Sequence, residues 1–310
     1  MSSLPGLRAF LAAAPDAALV EVAEALGSTP REAGAWMLVS PERTFGTIGG
    51  GQLEFMAIER ARALLGAEAG QGGASDGPAT LDVPLGPEIG QCCGGRVVVS
   101  VRRLDGALRD EVLRRAERED AANPTVLLFG GGHVGHALAA ALALLPVRTI
   151  VVETRAEALG DLPPGVEARL TPVPEEMVRE APAGAAFVVL THDHALDFLI
   201  VAEVLNRKDA AYAGMIGSKT KRATFRNWYL KTAGGDEAAL ARLVCPIGGE
   251  VKDKRPSVIA ALAAAEIVAA LARASGQRRA EAIGETRDGR RAQAITSATG
   301  RRSDFGIGGA

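Results

Sequence analysis

The feature that most limits what this chain can fold into is LLFGGGHVGHALA, an apolar run that breaks into glycines at residue 130 and resumes as helix-forming sequence. Short continuous apolar runs make buried strands. Gly130, Gly132 and Gly135 have the G-x-G-x-x-G spacing, which gives a tight turn, lets backbone approach a phosphate and lets a helix pack closely on the strand. The same turn also serves as a plain packing device. Glu153 closes the next apolar run, RTIVVET, where dinucleotide-binding units carry an acid for ribose hydroxyls. From residue 125 the runs TVLLFG, HALAAALALL, RTIVVET, AAFVVLTHDHA, AAYAGMIGS and KTKRATFRNWYL alternate strand with helix. Alternation of this kind implies a parallel, doubly wound sheet.

The expected fold is therefore α/β, with a C-terminal Rossmann-like doubly wound parallel sheet over 123–274 and a smaller N-terminal α+β domain over 1–122. Pro124 marks the boundary, because proline disfavours helix at the residue before it. In the first domain two extended runs surround Gly27-Ser28-Thr29-Pro30, and Gly49-Gly50-Gly51 opens a helical segment with apolar residues at 53, 57, 58, 61, 64 and 65. After a Gly-rich stretch, 66–78, read as flexible, LDVPL and RVVVSVRRL form two strands around GPEIGQCCGG, and a charged helix follows over 105–120. Pro256 sits in the tolerated first turn of a long last helix. Beyond 275 the periodicity is lost, and 275–310 reads as a mobile tail.

Composition narrows the function. With 47% hydrophobic but only 4% aromatic residues, the cores must be built from Ala, Val, Leu and Ile. A net charge of −2 supplies no field for a nucleic-acid backbone, so nucleic acid is not an expected partner. The first apolar stretch is broken by Pro15 and Asp16 and lacks a basic lead, so neither a signal peptide nor a membrane helix is expected there. Three cysteines, Cys92, Cys93 and Cys245, make neither a disulfide framework nor a CxxC zinc pattern, which suits a reducing cytoplasm.

Beyond the glycine turn, several groups could carry chemistry. Thr191-His192-Asp193-His194-Ala195-Leu196-Asp197 follows FVVL, at the carboxyl end of a strand where ligands of such sheets bind. Its histidine spacing departs from an H-x-H-x-D-H metal box, and Asp193 serves equally well as a helix cap. In GMIGSKTKR, Ser218 can cap a helix while Lys219, Lys221 and Arg222 add positive charge suited to a phosphorylated ligand, or simply a solvated face. His133 lies inside the glycine turn and His136 just beyond it, the latter reading as a helix-face residue. Gln91-Cys92-Cys93-Gly94-Gly95 places two thiols on a glycine loop, and thiolate is a soft donor for transition metals or sulfur transfer. Cys245 in CPIGG reads as core.

In order along the chain, GSTPREAGAWMLV, GTIGGGQLE, GQCCGG, FGGGHVGHALA, THDHALD, GMIGSKTKR, CPIGG and KRPSVIAALAAAEIVAAL resemble the motifs of the XdhC/CoxI accessory proteins, over about residues 20–272. The resemblance implies a chaperone rather than an enzyme: one that binds the molybdenum cofactor, a pyranopterin, and protects it while a NifS-like cysteine desulfurase exchanges its terminal oxo ligand for sulfur. The cofactor then passes to apo-xanthine dehydrogenase. It further implies a cofactor site made from Gly50, Gly51, Glu54, Gln91, Cys92, Cys93, Gly94 and Gly95 of the first domain and Gly130, Gly132, His133, Gly135, Asp193, His194, Ser218 and Lys219 of the second. Cys92 and Cys93 are the candidate molybdenum contacts. A homodimer is expected of a handover protein. Glu153-Thr154-Arg155 stands where Asp-x-Arg is frequent in the family. The competing reading is an NAD(P)-dependent oxidoreductase that uses Glu153 for ribose and the His192 to Asp197 cluster for proton transfer.

Overall fold

The computed structural model describes residues 4–66, 79–86, 94–249 and 252–299, and the chain divides into two units, Met1–Ala122 and Asn123–Ala310. In the first unit the elements run α1 (Leu4–Ala13), β1 (Ala18–Leu26), β2 (Trp36–Val39), β3 (Thr44–Gly46), α2 (Gly51–Gly66), β4 (Ala79–Pro84), β5 (Arg96–Arg103) and α3 (Gly106–Ala121). The strands form an antiparallel sheet in the order β3-β2-β1-β5-β4. The opening hairpin pairs Ala18 with Val39 and Glu21 with Trp36.

Successive residues of β1 point to opposite faces, yet Leu19 and Val20 are both buried, so both faces of this sheet are covered. On one side α2 lays down Leu53, Ala57, Ala61 and Leu65, four residues apart, against Val20, Val22, Val97, Val99 and Val101. On the other, Leu7, Phe10 and Leu11 of α1 and Leu108 and Val112 of α3 close over Leu19 and Leu38. The α1 segment is more than the short apolar stretch its sequence suggests: it is a helix that ends before Pro15.

The second unit runs β6 (Thr125–Phe129), α4 (His133–Leu142), β7 (Arg148–Glu153), a 3-10 turn (Ala156–Leu159), β8 (Glu167–Leu170), α5 (Pro174–Glu180), β9 (Ala186–Val189), α6 (His194–Asn206), β10 (Tyr212–Met215), α7 (Lys219–Lys231), α8 (Glu237–Ala241), β11 (Leu243–Val244) and α9 (Pro256–Thr299). Its six strands are parallel, in the order β11-β10-β9-β6-β7-β8. All five residues of β6 are buried, as a central parallel strand covered on both faces must be. Leu127 and Phe129 face α5, α6 and α7, where Phe225 and Tyr229 are fully enclosed, while Val126 and Leu128 face α4 and α9. Enclosing each such side chain contributes about 1.5–3 kcal/mol.

The Pro256–Gln277 part of α9 is long and apolar enough to cross a membrane by length and composition alone. Its Ala260, Ala263, Ala264, Ile267, Ala270 and Leu271 instead pack into the second unit's core beside Leu138 and Leu142 of α4. Alanine at these positions lets the helix lie close to its neighbours. The helix continues to Thr299, past residue 275 where the loss of apolar periodicity suggests a tail. Ala, Arg, Glu and Gln dominate there, and these favour helix without any amphipathic pattern. Residues 300–310 lie outside the described residues.

Candidate functional site

Strand order reverses between β6 and β9, because the chain leaves β6 towards β7 and β8 but builds β10 and β11 on the far side of β9. In open parallel sheets ligands bind beyond the carboxyl ends of the strands at such a point. Here the two loops there are Gly130–Gly132 and Leu190–Asp193, held together by the Leu190 N–H donating to the Phe129 carbonyl at 2.8 Å. The glycines divide by role. Gly130 has φ +121°, and a Cβ on it would lie 2.7 Å from the Leu190 carbonyl. One on Gly131 would lie 2.0 Å from the Ala158 carbonyl, and one on Gly135 2.1 Å from the Gly130 carbonyl. Gly132 has nothing within 4 Å. Three glycines are therefore demanded by packing, and the fourth leaves backbone open to an approaching group.

Gly132 is also the N-cap of α4, and no side chain caps that helix. Two other helices at this edge, α6 and α7, are capped: Asp193 accepts from the Ala195 N–H at 2.8 Å, and Ser218 accepts from the Lys221 N–H at 3.2 Å. Asp193 and Ser218 are thus cap residues, their side-chain oxygens facing their own helices. His133, His194 and Lys219 are exposed at the first positions of α4, α6 and α7. Among the described residues no group of three or more His, Cys, Asp or Glu is placed to hold a metal ion.

Beneath this edge lies a buried ion pair. Asp197, with 0% exposure, accepts from the Thr191 hydroxyl at 2.6 Å and the Thr191 N–H at 3.1 Å, and its other oxygen is paired with Lys221. Lys221, grouped by sequence with the charges available to a ligand, is turned inward. Arg222 reaches the Cys245 carbonyl at 3.4 Å. Cys245 itself is buried, and that burial pushes its thiol pKa up.

Glu153 ends β7 only 6% exposed. It accepts from the N–H groups of Gly131 at 3.0 Å, Thr154 at 2.8 Å and Arg155 at 3.2 Å. Burial alone would raise its pKa, but these hydrogen bonds and Arg155 outweigh it and hold the carboxyl below its ordinary value. Beside it lies a shallow cleft lined by Phe129, Gly130, Val152, Glu153, Thr154, Pro174, Thr191, His192 and Leu196. His136 spans from the glycine turn to the segment after β7, with Nε2 at 2.7 Å from the Gly160 carbonyl and Nδ1 at 3.3 Å from that of Gly132.

The first unit has its own glycine-led helix. Gly49, Gly50 and Gly51 all have positive φ, and Glu54 reaches back from the first turn of α2. Its Oε2 accepts from the Thr47 hydroxyl at 2.5 Å, the Ile48 N–H at 3.0 Å and the Gly50 N–H at 3.1 Å. In each unit a glutamate carboxylate accepts from the backbone of a glycine loop, Glu54 from two N–H groups and Glu153 from one.

Two family models match this chain, one described as the XdhC and CoxI family over residues 10–71 and one as the XdhC Rossmann domain over 126–267. The chain belongs to the XdhC/CoxI family. An uncharacterized Escherichia coli K12 protein, YqeB, is 26% identical over 275 residues, and the match takes in 81% of this chain but only 43% of YqeB. A crystal structure from Bacillus halodurans described as a xanthine dehydrogenase superposes with a TM-score of 0.69 at 17% identity, covering 87% of this chain and 96% of the other. At that identity the likeness is one of fold.

Of the residues to which the XdhC/CoxI likeness points, Gly130, Gly132, His133, Gly135, Asp193, His194, Ser218 and Lys219 follow three strands at one edge of the second unit's sheet. Gly50, Gly51 and Glu54 stand together at the start of α2 in the first unit. Gln91, Cys92 and Cys93 lie outside the described residues, as do 67–78. Gly94 and Gly95 exchange hydrogen bonds with Leu85, and a Cβ on Gly95 would lie 2.3 Å from the Ser28 carbonyl, so Gly95 is demanded by packing. The sequence puts Asp197 in the cluster at the ligand-facing edge, whereas the structure buries it in an ion pair with Lys221. The signal for burial was present: an acid four residues after a cap, followed by Phe-Leu-Ile-Val, falls on the inward face of an apolar helix.

Proposed function

We propose that this chain carries the molybdenum cofactor as cargo and delivers it to apo-xanthine dehydrogenase, with no turnover of its own. The observation that carries this reading is the start of α4: the uncapped helix at the switch point, with Gly132 open on the ligand side. Unpaired N–H groups and the helix dipole favour an anion there, and the pyranopterin ends in a phosphate. Membership in the XdhC/CoxI family supports the accessory role. Cys92 and Cys93 are the soft donors available to the molybdenum end, and a NifS-like cysteine desulfurase would supply the sulfur. The protein works in the cytoplasm as a homodimer in this reading.

The test is mass and metal analysis of the chain purified from cofactor-producing cells. Pterin and molybdenum near one per chain are expected, and background levels of both would end the reading. Cys92→Ala and Cys93→Ala, made singly, locate the metal end: at least one should lose retained molybdenum, and full retention in both removes thiolate ligation.

A further inference from the structure

Glu153 occupies the position from which a dinucleotide-binding sheet grips ribose hydroxyls, yet both oxygens of its carboxylate are already engaged by this chain's own donors. Oε2 takes the Gly131 N–H, while Oε1 takes the N–H groups of Thr154 and Arg155 and the Thr154 hydroxyl at 3.2 Å. Three of these four donors crowd Oε1, and Oε2 takes one, leaving its second site to the Arg155 ion pair. The Arg155 guanidinium stands 3.5 Å from Oε2 as a fifth. A ribose diol brings two more donors. Each could bind only by displacing one of these groups at a nearly enclosed site, which exchanges one interaction for another and leaves a donor orphaned.

The two threonine hydroxyls of the adjoining cleft have each spent their one proton. Thr154 donates to Glu153, and Thr191 donates to Asp197. Pro174 and Leu196 add apolar wall. No hydroxyl proton or free carboxylate oxygen at this corner is left to grip a diol, and what remains is the exposed His192 ring, the Arg155 guanidinium and hydroxyl lone pairs. By holding the Gly131 N–H, Glu153 instead fixes the turn immediately before Gly132, the open residue at the start of α4.

We infer that Glu153 is a positioning residue that sets the glycine turn for a phosphate and, by its saturation, excludes a ribose diol. The ligand class selected is a phosphate ester without a nucleoside gripped at this corner, which separates a pterin monophosphate from a nicotinamide dinucleotide. This rests on the reading of the α4 start as an anion site. It goes further in assigning selectivity to one side chain.

The test uses the full chain from cells unable to make the cofactor, titrated calorimetrically with NADH, adenosine monophosphate, 2′-deoxyadenosine monophosphate and inorganic phosphate. In the unaltered protein the two adenosine monophosphates should bind equally, and NADH no more tightly than either. Glu153→Gln turns one acceptor oxygen into an NH2 group facing backbone donors, and should weaken inorganic phosphate about tenfold, the scale of one lost hydrogen bond. NADH affinity should not fall in the same variant. Preference for the ribo- over the deoxynucleotide, or NADH binding that depends on Glu153, would overturn the exclusion; unchanged phosphate affinity in Glu153→Gln would overturn the positioning role. The ribose comparison needs neither a variant nor the cofactor, so it stands if Glu153→Gln misfolds and is decided separately from whether molybdenum is carried.

Discussion

The two glycine-led helices, α2 in the first unit and α4 in the second, use a glutamate for the same local task and differ in what surrounds it. Glu54 lies on its own helix and serves donors at Thr47, Ile48 and Gly50, so the first loop is closed from within. Glu153 lies on the neighbouring strand and takes only Gly131 from the turn. Closing from within places a carboxylate over the α2 start, where it opposes any incoming anion. Closing from the neighbouring strand keeps the carboxylate to one side and leaves the α4 start uncapped. Two loops that look alike in sequence are thus unequal in what they could bind.

The contrast extends to what stands behind each loop, and the largest effect is expected there. Lys221 and Asp197 form a buried pair under the second unit's edge, with side-chain exposures of 9% and 0%, whereas Glu54 is only partly buried. Lys221→Met removes the cation and strands the carboxylate, which should cost about 3–5 kcal/mol in denaturant unfolding. A loss under about 1 kcal/mol, the range of surface pairs, would erase this difference between the units.

Next in size is the steric contrast between the glycines. Gly131→Ala puts a methyl group 2.0 Å from the Ala158 carbonyl, a backbone atom that has to move, and should cost about 1–3 kcal/mol by overpacking. Gly50→Ala meets nothing within 4 Å and suffers only from its φ of +77°, about 1 kcal/mol for one left-handed residue. Calorimetric melting of both variants ranks them. If Gly50→Ala proves the more damaging, the first loop is the more tightly built.

How much of this was legible in the sequence follows from how local each signal is. The parallel sheet, the turn at Gly130 and the helix after it depend on apolar runs and glycine spacing, and the structure has them all. Short β8 and β11 carry too few residues for any period, and α5 is seven residues long, so they were passed over. Site roles were less legible because they depend on partners distant in the chain. Nothing near Lys221 in sequence says that it turns inward to Asp197, 24 residues away. Glu153 carries the position of a ribose acid, and only its four hydrogen-bond donors show that it is already occupied.

The smallest expected effect lies at His136, which braces the second glycine turn and has no counterpart at Glu54. Both ring nitrogens face carbonyl oxygens, those of Gly160 and Gly132, and a neutral imidazole has only one N–H to donate. The protonated ring satisfies both. Its pKa is accordingly raised, chiefly by the Gly160 carbonyl, against a smaller opposing effect of burial and with help from Gly132, Gly131 and Asp161. A raised folded-state value means that the brace contributes its stability fully below the unfolded pKa, about 6.5, and loses it as pH rises through the folded value. An NMR titration of the four histidine rings should find His136 with a midpoint above about 6.5. Because the ring is only partly buried, His136→Ala should shift the melting temperature only slightly, more below that midpoint than above it. A midpoint at or under the ordinary value would mean that one of the two carbonyl contacts is not made, leaving the second turn braced by Glu153 alone and the two loops more alike than the geometry indicates.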